Sequence, residues 1–254
     1  MANCVTYTAS DGIAIFTLNR PDSRNAISLE LAEELATFMD AFDSDPLTRV
    51  GILTGGPNFF SSGMDLKGFA RGELPYIDGK GFAGFVECPP TKPLIAAVEG
   101  FALAGGFEMV LACDLIVASN TAIFGLPEVT KGITAASGGL LRLPKRIPHH
   151  LAMELILTGS SWSAKEAFRF GLVNRLAEKG QTLAVATDLA QIIAGNAPLA
   201  VVASKEVVSH MPDWTASEAF SRQFPIIDPI RRSKDAAEGS RAYIEKRPPI
   251  WGGE

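Results

Sequence analysis

The sequence predicts an α/β fold assembled from repeated crossover units. Short apolar runs of strand length recur along the first half of the chain, and segments with helical spacing alternate with them. After about Ser137 the pattern becomes mostly helical. The resulting order, β–β–α–β–loop–β–α–β, is typical of crossover connections between strands of one sheet.

The composition is that of a globular protein. The 254 residues suffice for one large domain or a domain with an appendage, and 47% are hydrophobic and 20% charged. The formal net charge of −5 leaves no basic excess to neutralise phosphates, so we expect no nucleic-acid partner. The longest apolar runs, such as "LIAAV", are too short to cross a bilayer, so we expect no membrane association.

The cysteines and the amino-terminal residues predict a cytoplasmic protein. Cys4, Cys88 and Cys113 are isolated and lack C-x-x-C spacing, which disfavours a disulfide framework or a zinc site. The segment "MANCVTYTAS" has neither the basic start nor the apolar core of a signal peptide. The three histidines show no metal-ligand spacing, so we expect no bound metal.

The amino-terminal segments predict a hairpin followed by a helix. "VTYTASDGIAIFTLNRP" contains two short strands joined at Asp11-Gly12, which is a hairpin signal. "SLELAEELATFMDAF" predicts a helix with Ser28 as its N-cap. The apolar residues of this helix recur at helical spacing, at Leu31, Leu35, Phe38 and Phe42.

The rest of the chain predicts three more strands and several helices. The runs "RVGILTG", "PLIAAVEG" and "LIVAS" are apolar strands, and "GGFEMVLACD" between the last two is a helix. Downstream, "SAKE" from Ser163 to Glu166 is a capping box, and Pro198 occupies a first helical turn. The glycine-rich segment from Gly68 to Gly84 is the best candidate for a mobile loop.

Three segments share one pattern, an apolar strand followed by glycine and then an unusual residue. They are "GILTGGPNFFSSGMDL", "PLIAAVEGFALAGGFE" and "AIFGLPEVTKG". In a crossover α/β fold, the loops that bind ligands gather at the carboxyl ends of the strands. These segments are therefore expected to form the functional site.

Glycines in the first two segments indicate a binding site for a carbonyl oxygen. Gly105 and Gly106 leave the backbone open at a predicted helix start, where free N–H groups carry partial positive charge. "SSGMD" offers a second exposed N–H, at Met64. Two N–H groups from separate loops can polarise one carbonyl and stabilise its enolate. The alternative is that the glycine pair only permits close packing of a helix against a strand.

Two carboxylates follow these strand–glycine signals. Glu108 lies in the first turn of the predicted helix among apolar residues, and Glu128 follows Pro127 in "FGLPEV". A buried acid is costly unless it is paired, hydrogen-bonded or used, and two acids in one pocket can divide the base and acid roles. The alternative for each is an exposed or ion-paired glutamate.

Several linked motifs occur in one order along nearly the whole chain: "TLNRPDSRNAI", "ILTGGPNFFSSGMDL", "KPLIAAVEGFALAGGFEMVLACDLIVAS", "FGLPEVTKGI" and "SGGLLRLPKRI". They resemble those of the crotonase superfamily, the enoyl-CoA hydratase/isomerase family. The resemblance implies a crotonase-like spiral of ββα units in residues 1–195. It also implies a C-terminal helical region in residues 196–254 that assembles homotrimers or dimers of trimers.

The resemblance implies roles for four of these residues. The family's oxyanion hole matches the backbone N–H groups of Met64 and Gly105, and its two hydratase glutamates match Glu108 and Glu128. Both acids together favour addition or removal of water on an acyl-CoA thioester, since relatives that isomerise double bonds often retain only one. No cofactor is implied beyond the coenzyme A of the substrate.

The family's CoA-contacting loops match "SRNAI" and "SSGMDLK". The resemblance therefore places six residues near CoA and the substrate: Arg24, Ala26, Ser62, Gly63, Asp65 and Leu66. Lys67 could meet a phosphate, and the alternative is an ordinary exposed lysine. A finer resemblance, in "GGFE", "LPEVTKGI", "SGGLLRLPK" and "EKRPPIWGG", points to the carnitinyl-CoA dehydratase branch of the family.

Two departures from the family pattern bear on the acyl group. Many hydratases have alanine where Met64 stands, and "ITAASGG" after Gly132 lacks the usual proline–glycine. Two other functions stay open beside hydration: an enoyl-CoA isomerase, which moves a proton without adding water, and a catalytically idle acyl-CoA-binding protein.

Overall fold

Residues 3–254 form an α/β fold in a computed structural model, as the sequence predicts. The strands are β1 (Val5–Ser10), β2 (Ile13–Leu18), β3 (Val50–Thr54), β4 (Tyr76–Ile77), β5 (Gly81–Phe82), β6 (Leu94–Val98), β7 (Phe101–Leu103), β8 (Leu115–Ser119), β9 (Ile123–Gly125), β10 (Ser161–Ser163) and β11 (Arg175–Ala177). The helices are α1 (Leu29–Ser44), α2 (Leu66–Ala70), α3 (Gly105–Ala112), α4 (Gly139–Arg146), α5 (His149–Thr158), α6 (Ala164–Arg169), α7 (Thr182–Ala194), α8 (Pro198–His210), α9 (Ala219–Arg231) and α10 (Lys234–Glu245).

The main sheet has six strands in the order β1-β2-β3-β6-β8-β11. The predicted hairpin β1–β2 is antiparallel, and every later neighbour pair is parallel. Both faces are covered: Ile52 packs in the cluster that contains α7 residues, whereas Leu53 packs in the larger core on the other face. Burial on both faces explains why the inner strands read as continuous apolar runs.

The chain then winds as a spiral between the main sheet and a smaller one. In each of two successive turns the first strand, β6 or β8, joins the main sheet. The second strand, β7 or β9, joins the three-stranded sheet β10-β9-β7. Helix α3 follows β7, and a 3₁₀-helix, Pro127–Lys131, follows β9. This is the ββα repeat that the resemblance to the crotonase superfamily implies.

The helical second half confirms several local predictions. Ser28 caps α1 by accepting a hydrogen bond from the Leu31 amide, and Ser163 and Glu166 form the predicted capping box of α6. Pro198 opens α8. Helix α7 covers one face of the main sheet, and the expected boundary between residues 195 and 196 falls in the short connection between α7 and α8.

The sequence patterns do not predict every strand and helix of the fold. The short strands β7, β10 and β11 were not predicted, and the segment expected to be a loop from Gly68 to Gly84 contains part of α2 and the two-stranded sheet β4–β5. Within residues 3–254, no single helix is long and apolar enough to span a membrane. Helices α7 and α8 are long and apolar enough only when taken together, and the pair is bent by 107°.

Candidate active site

The three strand–glycine segments of the sequence end side by side. Strand β7 runs parallel to β9, with Leu103 opposite Gly125. On the other side of β7, Ser61 forms a parallel bridge to Ala102. Because the carboxyl ends of parallel neighbours lie at one edge, the residues that follow each segment converge there. The expected candidate site therefore lies at one edge of the spiral.

The loop before α2 and the start of α3 are in close contact. A Cβ on Gly63 would lie 2.8 Å from the Ala104 Cβ and 3.1 Å from the Gly105 nitrogen. A Cβ on Gly105 would lie 3.5 Å from the Met64 nitrogen. Glycine at both positions is thus what allows the Met64 and Gly105 amides to approach each other.

An unusual backbone conformation turns the chain into α3. Ala104, the residue before the helix, has φ 50° and ψ −130°, a region that non-glycine residues rarely adopt. Conformations of this kind cost about 1–3 kcal/mol and cluster at functional sites. Its amide donates to the Gly125 carbonyl at 2.9 Å, which ties this turn to β9.

The amides of Met64 and Gly105 are free to bind a ligand. In the part of the chain that the structure describes, neither N–H has a hydrogen-bond acceptor. The neighbouring groups are paired: the Gly63 carbonyl accepts from the Ile27 amide, and the Asp65 amide donates to the Ile27 carbonyl. An adjacent pair of unpaired N–H groups is suited to bind one carbonyl oxygen.

Glu108 is buried and held through one oxygen. The residue is 3% exposed, and Oε1 accepts hydrogen bonds from the Ser137 amide at 2.7 Å and the Gly139 amide at 2.9 Å. Burial raises the pKa of Glu108, and these amides, the Ser137 hydroxyl and the charge of Arg142 oppose that rise. The carboxyl is therefore fixed in place, with its charged form partly stabilised.

Glu128 is also buried, but one of its carboxylate oxygens lacks a hydrogen-bond partner in the described chain. It is 6% exposed, and its Oε2 is buried without a hydrogen-bond partner within residues 3–254. Burial, together with a smaller contribution from the charge of Glu108, raises the pKa of Glu128 to about 7 against an opposing backbone hydrogen bond. A desolvated carboxyl of this kind keeps its proton below about pH 7.

The two acids lie in one electrostatic environment, as the sequence hypothesis requires. The negative charge of Glu108 acts on the pKa of Glu128. A Cβ on Gly139 would touch both Glu108 Oε1 at 3.1 Å and the Leu126 side chain at 3.1 Å, which shows how closely the start of α4 joins the two regions. The alternative of two exposed or ion-paired glutamates is wrong, because both are buried and neither forms a salt bridge within the described chain.

The residues expected near CoA lie on the adjoining rim. The Ser62 amide donates to the Arg24 carbonyl at 3.1 Å, so the loops of "SRNAI" and "SSGMDLK" lie together. Arg24 and Lys67 are exposed, Ala26 and Ser62 are partly buried, and Leu66 is 60% exposed. Their expected contacts with CoA and the substrate stay predictions.

Asp65 has a clear local role in the same loop. One carboxylate oxygen caps α2 through the amides of Lys67 and Gly68, and the other pairs with Arg20 at 3.1 Å. Burial alone raises the pKa of Asp65, but the hydrogen bonds from Arg20 and from the two amides outweigh it and hold the pKa below its ordinary range. The expected contact of Asp65 with the substrate stays a prediction.

Sequence reasoning missed four residues that build the site. Buried Asn25 bonds the carbonyls of Gly55 and Phe60, which fixes the loop beside Met64. Phe82 packs on Gly105, and a Cβ there would lie 2.5 Å from its ring. The other two are Tyr76, whose hydroxyl bonds the Ser137 hydroxyl, and Arg142. Their partners are distant in sequence, so no local pattern signals them.

One group of potential metal ligands lies elsewhere on the molecule. The ligand atoms of Cys4, Glu30 and Glu34 lie within 4.8 Å of one another. The Glu34 carboxylate already accepts from the Val5 amide at 2.8 Å, and burial raises the pKa of Cys4 to about 11. A protonated thiol is a poor metal ligand, so these residues carry no metal assignment.

The arrangement suits chemistry at a carbonyl and the two carbons beside it. The two free amides can polarise an oxygen, the held acid can accept a proton from water, and the unpaired acid can deliver a proton. A site that places these three functions at one sheet edge can add water across, or remove it from, a double bond conjugated to that carbonyl.

Comparison with protein families supports this assignment. The family model described as enoyl-CoA hydratase/isomerase matches residues 8–254. Among curated proteins, the carnitinyl-CoA dehydratase of Escherichia coli O157:H7 is 40% identical over 264 residues, covering 100% of both chains.

Solved structures agree with the fold. An enoyl-CoA hydratase from Mycobacterium marinum is 50% identical, with a TM-score of 0.98 and 100% of both chains covered. A carnitinyl-CoA hydratase from Mycobacterium avium is 36% identical, with a TM-score of 0.80 and the same full coverage. The predicted crotonase-like spiral is thereby confirmed.

Proposed function

The chain belongs to the enoyl-CoA hydratase/isomerase family, and we propose that it adds water to, or removes it from, the α,β double bond of an acyl-CoA thioester. The observation that carries this proposal is the pair of buried acids, Glu108 and Glu128, in contrasting settings beside two unpaired amides. An enzyme that only moved a proton would not need a second acid for water.

The proposed reaction begins at the thioester carbonyl. The amides of Met64 and Gly105 bind its oxygen and stabilise the negative charge that develops there as water attacks Cβ. Removal of one donor from such a site costs about 3–4 kcal/mol in activation free energy. This cost corresponds to about 10²–10³-fold in rate, which lies within the roughly 10²–10⁴-fold expected from either acid.

The two acids then divide the proton transfers. Glu108, oriented through Oε1, accepts a proton from the attacking water, and the hydroxyl oxygen bonds to Cβ. Glu128, with a pKa of about 7, gives its proton to Cα as the enolate collapses. Both transfers occur on the same face of the double bond, and exchange with solvent restores the starting protonation states.

The acyl group is a separate question, with one specific candidate. Relatives carrying the name carnitinyl-CoA dehydratase suggest crotonobetainyl-CoA, whose trimethylammonium group favours aromatic surroundings. The rings of Phe82, against Gly105, and Tyr76, in contact with Phe82, supply such surroundings at this edge. Crotonyl-CoA is the corresponding substrate without the cation.

CoA itself is proposed to lie along the loops of Arg24, Ala26, Ser62 and Asp65. These loops adjoin Gly63 and Met64, so a thioester at the two amides directs the pantetheine along them. The exposed side chains of Arg24 and Lys67 are available cations for a phosphate there. The reaction needs no further cofactor.

The C-terminal helices are proposed to assemble trimers or dimers of trimers. Helices α8 to α10 and the following tail expose large apolar side chains: Val208, Phe220, Phe224, Tyr243, Ile244 and Ile250. Such a surface is typical of an interface between subunits. Sedimentation of the purified chain tests the oligomeric state.

We place the protein in the cytoplasm. Its cysteines are unpaired, which suits that reducing compartment.

A product assay tests the proposed activity and its rivals. Crotonyl-CoA and crotonobetainyl-CoA should yield hydroxyacyl-CoA products, and Glu108→Gln and Glu128→Gln should each depress the yield. Conversion of a β,γ-unsaturated acyl-CoA to its conjugated isomer, with no hydroxyacyl product, would support the isomerase instead. Tight acyl-CoA binding without turnover on any substrate would support an idle binding protein.

A further inference from the structure

We propose that Tyr76 is a positioning residue for Glu108, acting through Ser137 at the start of α4. The role belongs to the proposed hydratase function and deepens it. Tyr76 lies on β4, in the segment between α2 and β6, and no pattern in the sequence connects it with Glu108. The structure connects them through a continuous line of polar contacts.

The line of contacts runs from a phenol to the carboxylate. The Tyr76 hydroxyl and the Ser137 hydroxyl share a hydrogen bond of 2.7 Å. Ser137, itself buried, donates its amide to Glu108 Oε1 at 2.7 Å, and its hydroxyl also stabilises the charged form of Glu108. Tyr76 therefore bonds the residue whose amide holds Glu108 Oε1.

The ring of Tyr76 has a second contact on the other half of the site. It meets the Phe82 ring edge-on at 5.5 Å between centroids, and Phe82 packs directly on Gly105. One residue thus joins the amide that binds the thioester oxygen to the loop that holds Glu108. A two-stranded sheet as short as β4–β5 needs such outside contacts to hold its position.

The hydrogen bond between Tyr76 and Ser137 is a neutral contact beside the charged groups that act on Glu108. Arg142 on α4 stabilises the carboxylate, and Glu128 on the 3₁₀-helix is the neighbouring acid. Strand β7, also packed on α3, has no titratable side chain. Arg142 is itself fixed by the Val86 carbonyl at 2.6 Å. The hydroxyl groups of Tyr76 and Ser137 thus contribute to the charge state and the orientation of Glu108.

The position of Ser137 agrees with the sequence. It lies in "ITAASGG", the stretch that departs from the usual proline–glycine pattern of the family. The hydroxyl of Ser137 joins this loop to β4 through its hydrogen bond with Tyr76. Chains of hydroxyls polarise one another, so loss of the outer member weakens the inner one.

The first test compares Tyr76→Phe with Tyr7→Phe. Both remove one phenolic hydroxyl, but Tyr7 lies on β1, where its ring stacks on Phe38. Tyr76→Phe should lower kcat about three- to ten-fold with little change in KM, and move the acidic limb of the pH–rate profile to higher pH. Tyr7→Phe should match the wild type. An unchanged profile in Tyr76→Phe would overturn the proposal.

The second test asks whether Tyr76 acts through Ser137. Ser137→Ala should move the acidic limb at least as far as Tyr76→Phe, and the double variant should resemble Ser137→Ala alone. Additive effects of the two changes would contradict a shared path. Melting temperatures of all variants show whether the fold is retained.

A readout without turnover separates this proposal from the proposed function. NMR of protein labelled at glutamate carboxyls, assigned with Glu108→Gln, gives the pKa of Glu108 directly. Tyr76→Phe should raise that pKa. A raised pKa in a protein that hydrates no enoyl-CoA would leave the Tyr76 contact intact and refute hydration, whereas active enzyme with an unchanged pKa would refute the role of Tyr76 alone.

Discussion

The regions around Glu108 and Glu128 differ in how each holds its acid. Glu108 lies on a regular helix, and two amides at the start of α4 bind one of its oxygens. Glu128 lies on a 3₁₀-helix after a proline, and one of its oxygens is buried with no partner in the described chain. The fold thus holds one acid in position and raises the pKa of the other to about 7.

This difference assigns the roles that the sequence leaves symmetrical. In sequence both acids follow a strand and a glycine among apolar residues. In the structure, burial raises the pKa of both acids, but the Ser137 and Gly139 amides oppose that rise at Glu108 and favour the charged form that a base needs. At Glu128, burial outweighs an opposing backbone hydrogen bond and favours the neutral form that an acid needs. The following predictions test this contrast.

The largest expected effect is that of Glu108→Gln. The amide oxygen of glutamine can still accept both hydrogen bonds from the loop, so the fold should be retained while the base is lost. We expect kcat to fall about 10²–10⁴-fold on crotonyl-CoA, with KM changed little. Stopped assays of the hydroxyacyl product measure it, and retention of more than half of the activity would refute the role of Glu108 as base.

Glu128→Gln should impair the rate and also change its pH dependence. With a pKa of about 7, the proton of Glu128 is lost as the pH rises through neutrality, so wild-type kcat/KM for hydration should fall above about pH 7. The variant should be roughly 10²-fold or more slower and lack that alkaline limb. A variant that kept the limb would show that another group titrates there.

Glu128→Gln should also stabilise the fold in a pH-dependent way. The pKa of Glu128 rises from an ordinary 4.5 to about 7 on folding, so the folded state binds more protons in this window and loses stability as pH rises through it. Glu128→Gln should remove this loss, giving roughly 3 kcal/mol of extra stability above about pH 7 and no difference below about pH 4. Urea unfolding at several pH values measures it; equal stability at all pH values would contradict the burial argument.

The smallest effect should come from Arg142→Gln. The charge of Arg142 lowers the pKa of Glu108, so its removal should move the acidic limb of kcat/KM to higher pH while the alkaline limb set by Glu128 stays in place. Arg142→Lys, which keeps the charge, is the matched control. Movement of both limbs together would mean that the two acids respond as one unit.

The sequence predicts the local features of this protein well. The hairpin β1–β2, the Ser28 cap and the capping box at Ser163 depend on residues a few positions apart, and all are found. The repeated strand-length runs predict an α/β fold of crossover units, and the resemblance to the crotonase superfamily implies the ββα spiral. The three-residue strands β7, β10 and β11 escape prediction because pairing with distant strands, rather than their own composition, creates them.

The site shows the same limit. Gly105 and Glu108 stand together in one motif, so their joint role is visible in sequence. The hydrogen bond between Tyr76 and Ser137 joins residues 61 positions apart, and Asn25 bonds a carbonyl 35 positions away. Such contacts follow from the completed fold, and so does the difference in hydrogen bonding between the two acids.

Hydration of crotonyl-CoA in isotopically labelled water is the most direct test of the central claim. The account predicts a β-hydroxyacyl-CoA with solvent oxygen at Cβ and one solvent hydrogen on the same face at Cα, with formation depressed in both Glu108→Gln and Glu128→Gln. Undiminished formation in both variants, or solvent hydrogen in the product without solvent oxygen, would contradict it.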